Sequence, residues 1–219
     1  FQHSGNTTQK IRLVARGQHV VRIDREDAAP MSPSVEREAL KRLNTAFPKL
    51  DGIVISDYAK GFVTRKLVQH AVRLAKERRI PVVVDGKPQR LNFYKGVSVF
   101  TPNQKEALEA ARVSSLERAA PILQRHLGSV ILVTRGGEGM SLFVQGKRPH
   151  HIPAKPRKVF DVSGAGDTVV AVLALALAAG ATAREAAELA NEAGGIAVGK
   201  LGAAAVSLAE LEKAICNER

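Results

Sequence analysis

The chain has 219 residues, of which 45% are hydrophobic and 25% charged, a composition typical of one globular domain with a sizeable core. A single cysteine excludes an internal disulfide and fits a reducing cytoplasm, and the longest apolar run, residues 169–179, is too short to span a membrane. The net charge of +12 admits nucleic-acid binding, but the aromatic content of 4%, the lack of Trp and the lack of a recognisable nucleic-acid motif favour a basic surface that handles phosphorylated small molecules.

The N-terminal part of the chain predicts a β-hairpin, a polar connector and a helix. Polar and apolar residues alternate over residues 8–24 around Arg16-Gly17, which is the pattern of a hairpin with one polar face. Residues 25–35 form the polar connector, and residues 35–47 have helical spacing. We expect residues 1–30 to form a small β lid segment and residues 31–219 to form an α/β core.

From residue 52 onward, short apolar strands alternate with amphipathic helices. The predicted strands are 52–56, 81–84, 97–100 and 130–133, followed by an antiparallel strand at 140–144. The predicted helices are 64–79, 104–112, 116–127, 165–179, 183–199 and 207–217. Strands that are continuous apolar runs indicate a sheet buried on both faces. The pattern therefore predicts an α/β fold with a mostly parallel sheet.

Polar side chains follow four of these strands, where the strands end. They are Asp57, Asp85 with Lys87, Asn103, and Thr134 with Gly136. Ligands of parallel sheets bind beyond the carboxyl ends of the strands. Each of these residues alone is a common turn or cap residue, but together they indicate one edge of a binding site.

The segment DVSGAGD, residues 161–167, runs directly into an apolar helix. The small residues 164–166 leave backbone N–H groups at the helix N-terminus, where an anion can bind. Asp167 in the first helical turn has the chemistry of a general base for a substrate hydroxyl. An isolated pattern of this kind more often marks only a turn and a helix cap, so its meaning depends on the rest of the chain.

DVSGAGDT resembles the signature of the ribokinase-like (PfkB) carbohydrate kinases, which usually reads D-T-x-G-A-G-D. Three further segments resemble motifs of that family in the same order, namely TPNQKE at 101–106, TRGGEG at 134–139 and the helix that contains Asn191. Motifs that occur together in the expected order are far more specific than one pattern. The resemblance implies a ribokinase-like three-layer α/β/α fold with a small β lid hairpin, and a kinase that uses ATP and Mg²⁺.

The resemblance also implies roles for individual residues. Asp167 is the implied base, and Gly164, Ala165 and Gly166 are the implied anion hole. Asn103 and Glu106 are implied to serve Mg²⁺ and phosphate, Thr134, Gly136 and Gly139 to hold the phosphates of ATP, Asn191 to lie near the adenine, and Lys87 to reach a phosphate.

Within the family, the segment SDYAKG at 56–61 and the hairpin strands resemble the bacterial heptose-7-phosphate kinases of ADP-heptose and lipopolysaccharide core synthesis. This resemblance implies transfer of the γ-phosphoryl group of ATP to the anomeric hydroxyl of D-glycero-D-manno-heptose 7-phosphate, which gives the 1,7-bisphosphate. The implied sugar-phosphate contacts are Lys10, Arg12, Arg22, Asp57 and Lys60. It further implies a homodimer formed through the lid, with no nucleic-acid or membrane partner.

Two other functions stay open at this point. Another ribokinase-like sugar kinase would keep every nucleotide motif and differ only in its sugar. A non-catalytic nucleotide-binding protein is the second alternative, because the chain begins close to the lid and we expect it to lack the N-terminal sugar-binding portion of the family.

Overall fold

The N-terminal strands β1 (Gln9–Ala15) and β2 (Gln18–Arg25) pair antiparallel in a two-stranded sheet of their own. The computed structural model describes residues 8–15, 18–26, 28–155, 159–202 and 204–216, so the predicted turn at Arg16-Gly17 lies outside the described residues. The strand register places Lys10, Arg12, Arg22 and Asp24 on one face, and Ile11, Leu13, Val21 and Ile23 on the other. The hairpin is thus charged on one face and apolar on the other.

The central sheet has six strands that follow one another in chain order. They are β3 (Ile53–Ser56), β4 (Val82–Asp85), β5 (Val99–Phe100), β6 (Val130–Thr134), β7 (Met140–Phe143) and β8 (His150–Ile152). Strands β3 to β6 are parallel, and β7 and β8 are antiparallel additions. The predicted mostly parallel sheet is confirmed, whereas β8 was not predicted because its sequence HHI has no apolar run.

The helices cover both faces of this sheet. They are α1 (Pro33–Ala46), α2 (Arg65–Arg78), α3 (Gln104–Ala111), α4 (Leu116–Leu127), α5 (Ala165–Ala178), α6 (Ala183–Val198) and α7 (Leu208–Cys216). Side chains that alternate along the strands feed two cores, one with α2, α3 and α4, the other with α5 and α6. Val82 and Val84 enter the first core and Val83 enters the second. This is the predicted three-layer α/β/α fold.

Helix α5 packs against both the sheet and its neighbour α6, and its residues Val169, Val170, Leu173 and Ala174 are buried in the second core. The two helices approach closely at Gly194, where an added Cβ would lie 2.9 Å from Cγ2 of Val169. The chain reaches α5 from β8, at one edge of the sheet, yet α5 packs against β3 and β4 near the other edge. Among the described residues, no helix is both long and apolar enough to cross a membrane.

The division into a lid segment and a core stays a prediction. The hairpin forms a sheet separate from the central one, and the chain enters the core where the amide of Met31 donates to the carbonyl of Gly61 at 3.2 Å. Three short 3₁₀ segments lie in connections between these elements, at 47–49 between α1 and β3, at 88–93 between β4 and β5, and at 136–138 between β6 and β7.

Candidate active site

The polar residues at the strand ends lie side by side along one edge of the sheet. Ser56 at the end of β3 pairs with Asp85 at the end of β4, and the amide of Asp57 donates to the carbonyl of Asp85 at 2.8 Å. Beyond β5 and β6, Asn103 and Thr134 form a parallel bridge. The parallel register therefore brings the predicted residues 57, 85, 103 and 134 to the same edge.

Asn103 and Glu106 form a capping box at the start of α3. The side chain of Asn103 accepts from the amide of Glu106 at 2.9 Å, and Oε2 of Glu106 accepts from the amide of Asn103 at 3.1 Å. The other oxygen of Glu106 accepts from Nζ of Lys87 at 2.7 Å, and this hydrogen bond raises the pKa of Lys87. Asn103 and Glu106 thus cap α3 in the same segment that was predicted to bind Mg²⁺ and phosphate. Together with Lys87 they form one hydrogen-bond network.

Asp85 makes this edge strongly acidic. Burial raises the pKa of Asp85, and the neighbouring carboxylates of Glu106 and Asp167 raise it further, whereas Lys87 opposes them. A divalent cation would relieve this repulsion. The described residues contain no group of three or more acidic, His or Cys side chains able to hold a metal by themselves. Such a site suits Mg²⁺, which keeps several waters and binds through one or two carboxylates and substrate phosphates.

We expect Asp85→Asn to stabilise the ligand-free protein while slowing turnover. Because the pKa of Asp85 is higher in the folded protein than in the unfolded chain, its ionised carboxylate lowers stability at neutral pH. The amide removes this penalty and should raise Tm by about 2–4 °C. Thermal unfolding in EDTA at neutral pH tests this, and the difference from wild type should vanish at acidic pH, where the carboxyl is protonated. Equal Tm values at neutral pH would contradict it.

The DVSGAGD segment forms a tight turn that leads into α5. Gly164 caps the helix with φ 78°, and its carbonyl accepts from the amide of Thr168 at 2.9 Å. Asp161 accepts from the amide of Ser163 at 2.8 Å, and this hydrogen bond lowers the pKa of Asp161. The first aspartate of the motif therefore shapes the turn.

Two amides of this turn are placed to bind an anion. The amide of Ala165 donates to the carbonyl of Val162 at 3.3 Å, so it is already occupied. The amides of Gly166 and Asp167 lie in the first helical turn, where N–H groups have no acceptor within the helix. The space beside Gly166 is open, since a Cβ added there would meet no atom within 4 Å. The anion hole at Gly164, Ala165 and Gly166 stays a prediction, and the amides of Gly166 and Asp167 are the ones that lack an acceptor within the helix.

The predicted base Asp167 is exposed beside this turn, and its Oδ1 accepts a hydrogen bond from the hydroxyl of Tyr58 at 3.2 Å. The charges of Asp167 and Asp85 act on each other. The structure therefore brings the predicted base, the anion-binding turn and the acidic strand ends to one site. Tyr58 belongs to the SDYAKG segment, but no role was predicted for its side chain.

The predicted nucleotide loop, which follows β6, turns through a 3₁₀ segment, Gly136–Glu138, and ends at Gly139. Gly136 has φ 56° and lies in open space, so its backbone is accessible to a ligand. Asn191 on α6 is only 8% exposed, and its side-chain nitrogen donates to the carbonyl of Pro153 at 3.0 Å. In this structure Asn191 therefore links α6 to the segment after β8, and its predicted place near adenine stays a prediction.

Gly139→Ala should damage this loop, whereas Gly137→Ala should not. Gly139 has φ 88°, and an added Cβ would lie 2.1 Å from the carbonyl oxygen of Ile152. We expect a loss of about 1–3 kcal/mol in stability and weaker ATP binding. Gly137 is a matched control, since its Cβ would meet nothing within 4 Å. Urea unfolding and ATP titration of both variants test this, and equal behaviour of the two would contradict it.

The lid carries the predicted phosphate contacts on its charged face. Arg22 is held by Asp24 at 2.9 Å, and this hydrogen bond lowers the pKa of Asp24, with smaller contributions from Lys10 and Lys60. The positive charge of Arg12 makes a small contribution to lowering the pKa of Asp161, which lies in the predicted anion-binding turn. These effects show that the charged face lies within electrostatic reach of both the SDYAKG turn and the DVSGAGD turn. Lys60 itself pairs with Glu26.

Asp57 has a different environment from the one predicted. It is 2% exposed, and its carboxylate accepts from Tyr94 Oη at 2.7 Å, from the amide of Ala59 at 2.8 Å and from Arg90 at 3.5 Å. These contacts give Asp57 a structural role in the ligand-free protein, and its predicted contact with the sugar stays a prediction. Tyr94 and Arg90 were missed because they lie more than 30 residues away in the sequence.

Comparison with known proteins gives this geometry a family. Residues 1–210 match the profile of the pfkB family carbohydrate kinases. Bifunctional protein HldE of Geobacter sulfurreducens is 44% identical over 214 residues, which are 95% of this chain and 44% of that protein. HldE of Caulobacter vibrioides is 44% identical over 212 residues, 94% of this chain and 43% of that protein. The chain therefore spans less than half the length of these relatives.

Solved structures share the fold at low sequence identity. Arabidopsis thaliana ribokinase, complexed with ribose and ATP, superposes with a TM-score of 0.73 at 22% identity and covers 97% of this chain and 70% of its own. Phosphofructokinase-2 from Escherichia coli superposes with a TM-score of 0.76 at 19% identity, and the match covers 100% of this chain and 72% of that one. A putative ribokinase II from E. coli, in complex with ATP and Mg²⁺, gives 0.72 at 18% identity, with coverages of 98% and 72%.

These comparisons agree with the sequence and the site. ATP and Mg²⁺, the expected cofactors, are the ligands with which proteins of this fold have been crystallised. The profile match covers almost the whole chain, and the HldE relatives are more than 40% identical over nearly all of it. This chain therefore belongs to the pfkB family of carbohydrate kinases.

Proposed function

We propose that this chain transfers the γ-phosphoryl group of ATP to the anomeric hydroxyl of D-glycero-D-manno-heptose 7-phosphate, giving the 1,7-bisphosphate. The observation that carries the proposal is the meeting of Asp167, the amides of the anion-binding turn and the acidic edge formed by Asp85 and Glu106. A base, an anion site and a cation site next to one another are the parts that phosphoryl transfer requires.

The residues have separate tasks in the proposed reaction. Asp167 takes the proton of the acceptor hydroxyl while the sugar oxygen forms a bond to the γ-phosphorus and the bond from that phosphorus to the ADP oxygen breaks. The amides of Gly166 and Asp167 bind the transferring phosphoryl group. Asp85 and Glu106 would hold Mg²⁺, which neutralises phosphate charge when bound. Lys87 is positioned by Glu106 at the same edge and can approach a phosphate.

The sugar phosphate is supported by the charged face of the lid. Lys10, Arg12 and Arg22 are exposed there, and this face lies within electrostatic reach of the anion-binding turn. A face that carries three cations suits a phosphorylated sugar better than a neutral one. The sequence likeness to the HldE relatives, which extends over 95% of this chain, supports the choice of heptose, as does the resemblance of SDYAKG and the hairpin to heptose-7-phosphate kinases.

ADP release with a panel of sugars tests the proposal. We expect D-glycero-D-manno-heptose 7-phosphate to give the highest kcat/KM, about 10²-fold above unphosphorylated heptose, and Arg12→Gln to reduce this preference. Arg25→Gln is a matched control, because Arg25 lies on the opposite face of the same hairpin. A preference for fructose 6-phosphate would indicate another sugar kinase. No turnover, with ATP still raising Tm, would indicate nucleotide binding alone.

We further propose that two copies of the chain pair through the apolar face of the lid. Ile11, Leu13, Val21 and Ile23 are between 42% and 50% exposed on that face. A two-stranded sheet with an uncovered apolar face is marginal on its own, and a second copy would cover it. Leu13→Lys should then convert a dimer into a monomer in sedimentation, and unchanged sedimentation would contradict the proposal.

We place the reaction in the cytoplasm, where ATP is available.

A further inference from the structure

Tyr58 links two parts of the site that are 109 residues apart in the sequence. Its hydroxyl lies 3.2 Å from Oδ1 of Asp167. Tyr58 is 52% exposed, so its ring lies at the surface beside the predicted base and is not part of the core. Neither the capping box nor the anion-binding turn involves it, and neither core packing nor helix capping explains its position beside the proposed base.

The backbone around Tyr58 is fixed independently of Asp167. Asp57 accepts from the amide of Ala59, and Ala59 adopts the left-handed conformation with φ 58°. Gly61 has φ 84°, and a Cβ there would lie 1.9 Å from the carbonyl oxygen of Ala29, so this position requires glycine. A turn held at both ends in this way presents the Tyr58 ring to Asp167 before any ligand binds.

The hydroxyl of Tyr58 keeps its proton at neutral pH. A hydrogen bond with Ser56 lowers the pKa of Tyr58, but burial and the carboxylates of Asp167 and Asp85 outweigh it, so the pKa lies above its usual value. Lys87 also interacts electrostatically with Tyr58, and its ammonium group pairs with Glu106. Tyr58 is therefore the donor in its hydrogen bond with Asp167.

We propose that Tyr58 is a positioning residue, whose hydroxyl donates to Oδ1 of Asp167 and leaves the second carboxylate oxygen to accept the proton of the sugar hydroxyl. The proposal rests on the proposed function, in which Asp167 is the base. A carboxylate on a short side chain rotates freely in an exposed helical turn, and one fixed donor removes that freedom.

Tyr58→Phe tests the role in catalysis, because it removes only the hydroxyl. We expect kcat to fall about tenfold while KM for ATP stays unchanged, because the hydroxyl positions the base and does not bind the nucleotide. Tyr94→Phe is the matched control, since it makes the same chemical change at a hydroxyl that binds Asp57 instead. It should lower stability and leave kcat of the folded protein unchanged.

Tyrosinate absorbance tests the contact without using turnover. The chain has two Tyr and no Trp, and burial together with the Asp57 carboxylate raises the pKa of Tyr94 far above the range of Tyr58. The first ionisation on raising the pH therefore belongs to Tyr58. We expect its midpoint to fall in Asp167→Asn and to stay unchanged in Asp51→Asn, a carboxylate at the other end of β3.

The outcomes separate this inference from the proposed function. An unchanged Tyr58 midpoint in Asp167→Asn would overturn the contact. A lowered midpoint in Asp167→Asn together with wild-type kcat in Tyr58→Phe would overturn the positioning role alone, provided that Asp167→Asn is inactive. Sugar-dependent turnover that persists in Asp167→Asn, or is missing from the unsubstituted chain, would contradict the proposed function, and the positioning role would fall with it.

Discussion

Asp167→Asn should abolish sugar-dependent ADP release, lowering kcat by about 10³-fold or more. The amide keeps the volume of the side chain and can still accept from Tyr58, but it cannot take the proton of the acceptor hydroxyl. The backbone amides of the anion-binding turn do not depend on the side chain of residue 167. ATP should therefore raise Tm of the variant as much as it raises Tm of the wild-type protein.

Asp161→Asn is the matched control for this experiment. It changes the other aspartate of the same motif, which accepts from the amide of Ser163 and lies outside the proton-transfer step. We expect a smaller loss of kcat, with weaker ATP protection because the turn is less well held. Comparable turnover in the two variants would show that Asp167 is not the base.

Asp57→Ala should lower the free energy of unfolding by about 3–5 kcal/mol. This loss is larger than the one expected for Gly139→Ala or Tyr94→Phe. Its carboxylate is buried and accepts from Tyr94, Ala59 and Arg90, so its removal leaves buried donors without their acceptor. The turn that carries Tyr58 would lose its anchor in the same step. Urea unfolding measures the difference, and a change below about 1 kcal/mol would contradict a structural role for Asp57.

Tyr94→Phe provides a milder form of the same test. It keeps the ring that stacks on Phe100, with centroids 5.7 Å apart, and removes only the hydroxyl that binds Asp57. The expected loss is about 1–3 kcal/mol, because a buried carboxylate loses one of its donors. If Asp57→Ala does not fold, this variant still measures the contribution of the network, and wild-type stability would argue against it.

Much of the fold could be predicted because its signals are local. A parallel strand that is buried on both faces is a continuous apolar run, and a helix on its surface has an apolar period of 3.6. The alternation of the two patterns predicts layers and sheet type without knowledge of any contact. The strand β8 has neither signal, and its three residues are held in place by pairing with β7.

The site could be predicted only in part, because strand-end residues with similar sequence contexts face different surroundings. Asp57 and Asp85 each follow an apolar strand, yet one is buried in a hydrogen-bond network and the other borders the acidic edge. What separates them is the Tyr94 ring, which reaches Asp57 across the backbone of residue 86. The one available signal was Gly86, since a Cβ there would lie 2.5 Å from that ring.

The path of the chain also has a consequence for folding. Every pair of neighbouring strands in the central sheet is consecutive in chain order, so each strand pairs with the one formed before it, through helical crossovers between the parallel strands. The site needs one further, non-local event, because α5 must return from β8 to pack against β3 and β4 and bring residue 167 to residue 58. Because α5 also covers Val83 on one face of the sheet, the site and that half of the core depend on the same docking of α5, and opening the site by moving α5 would expose the strands beneath it.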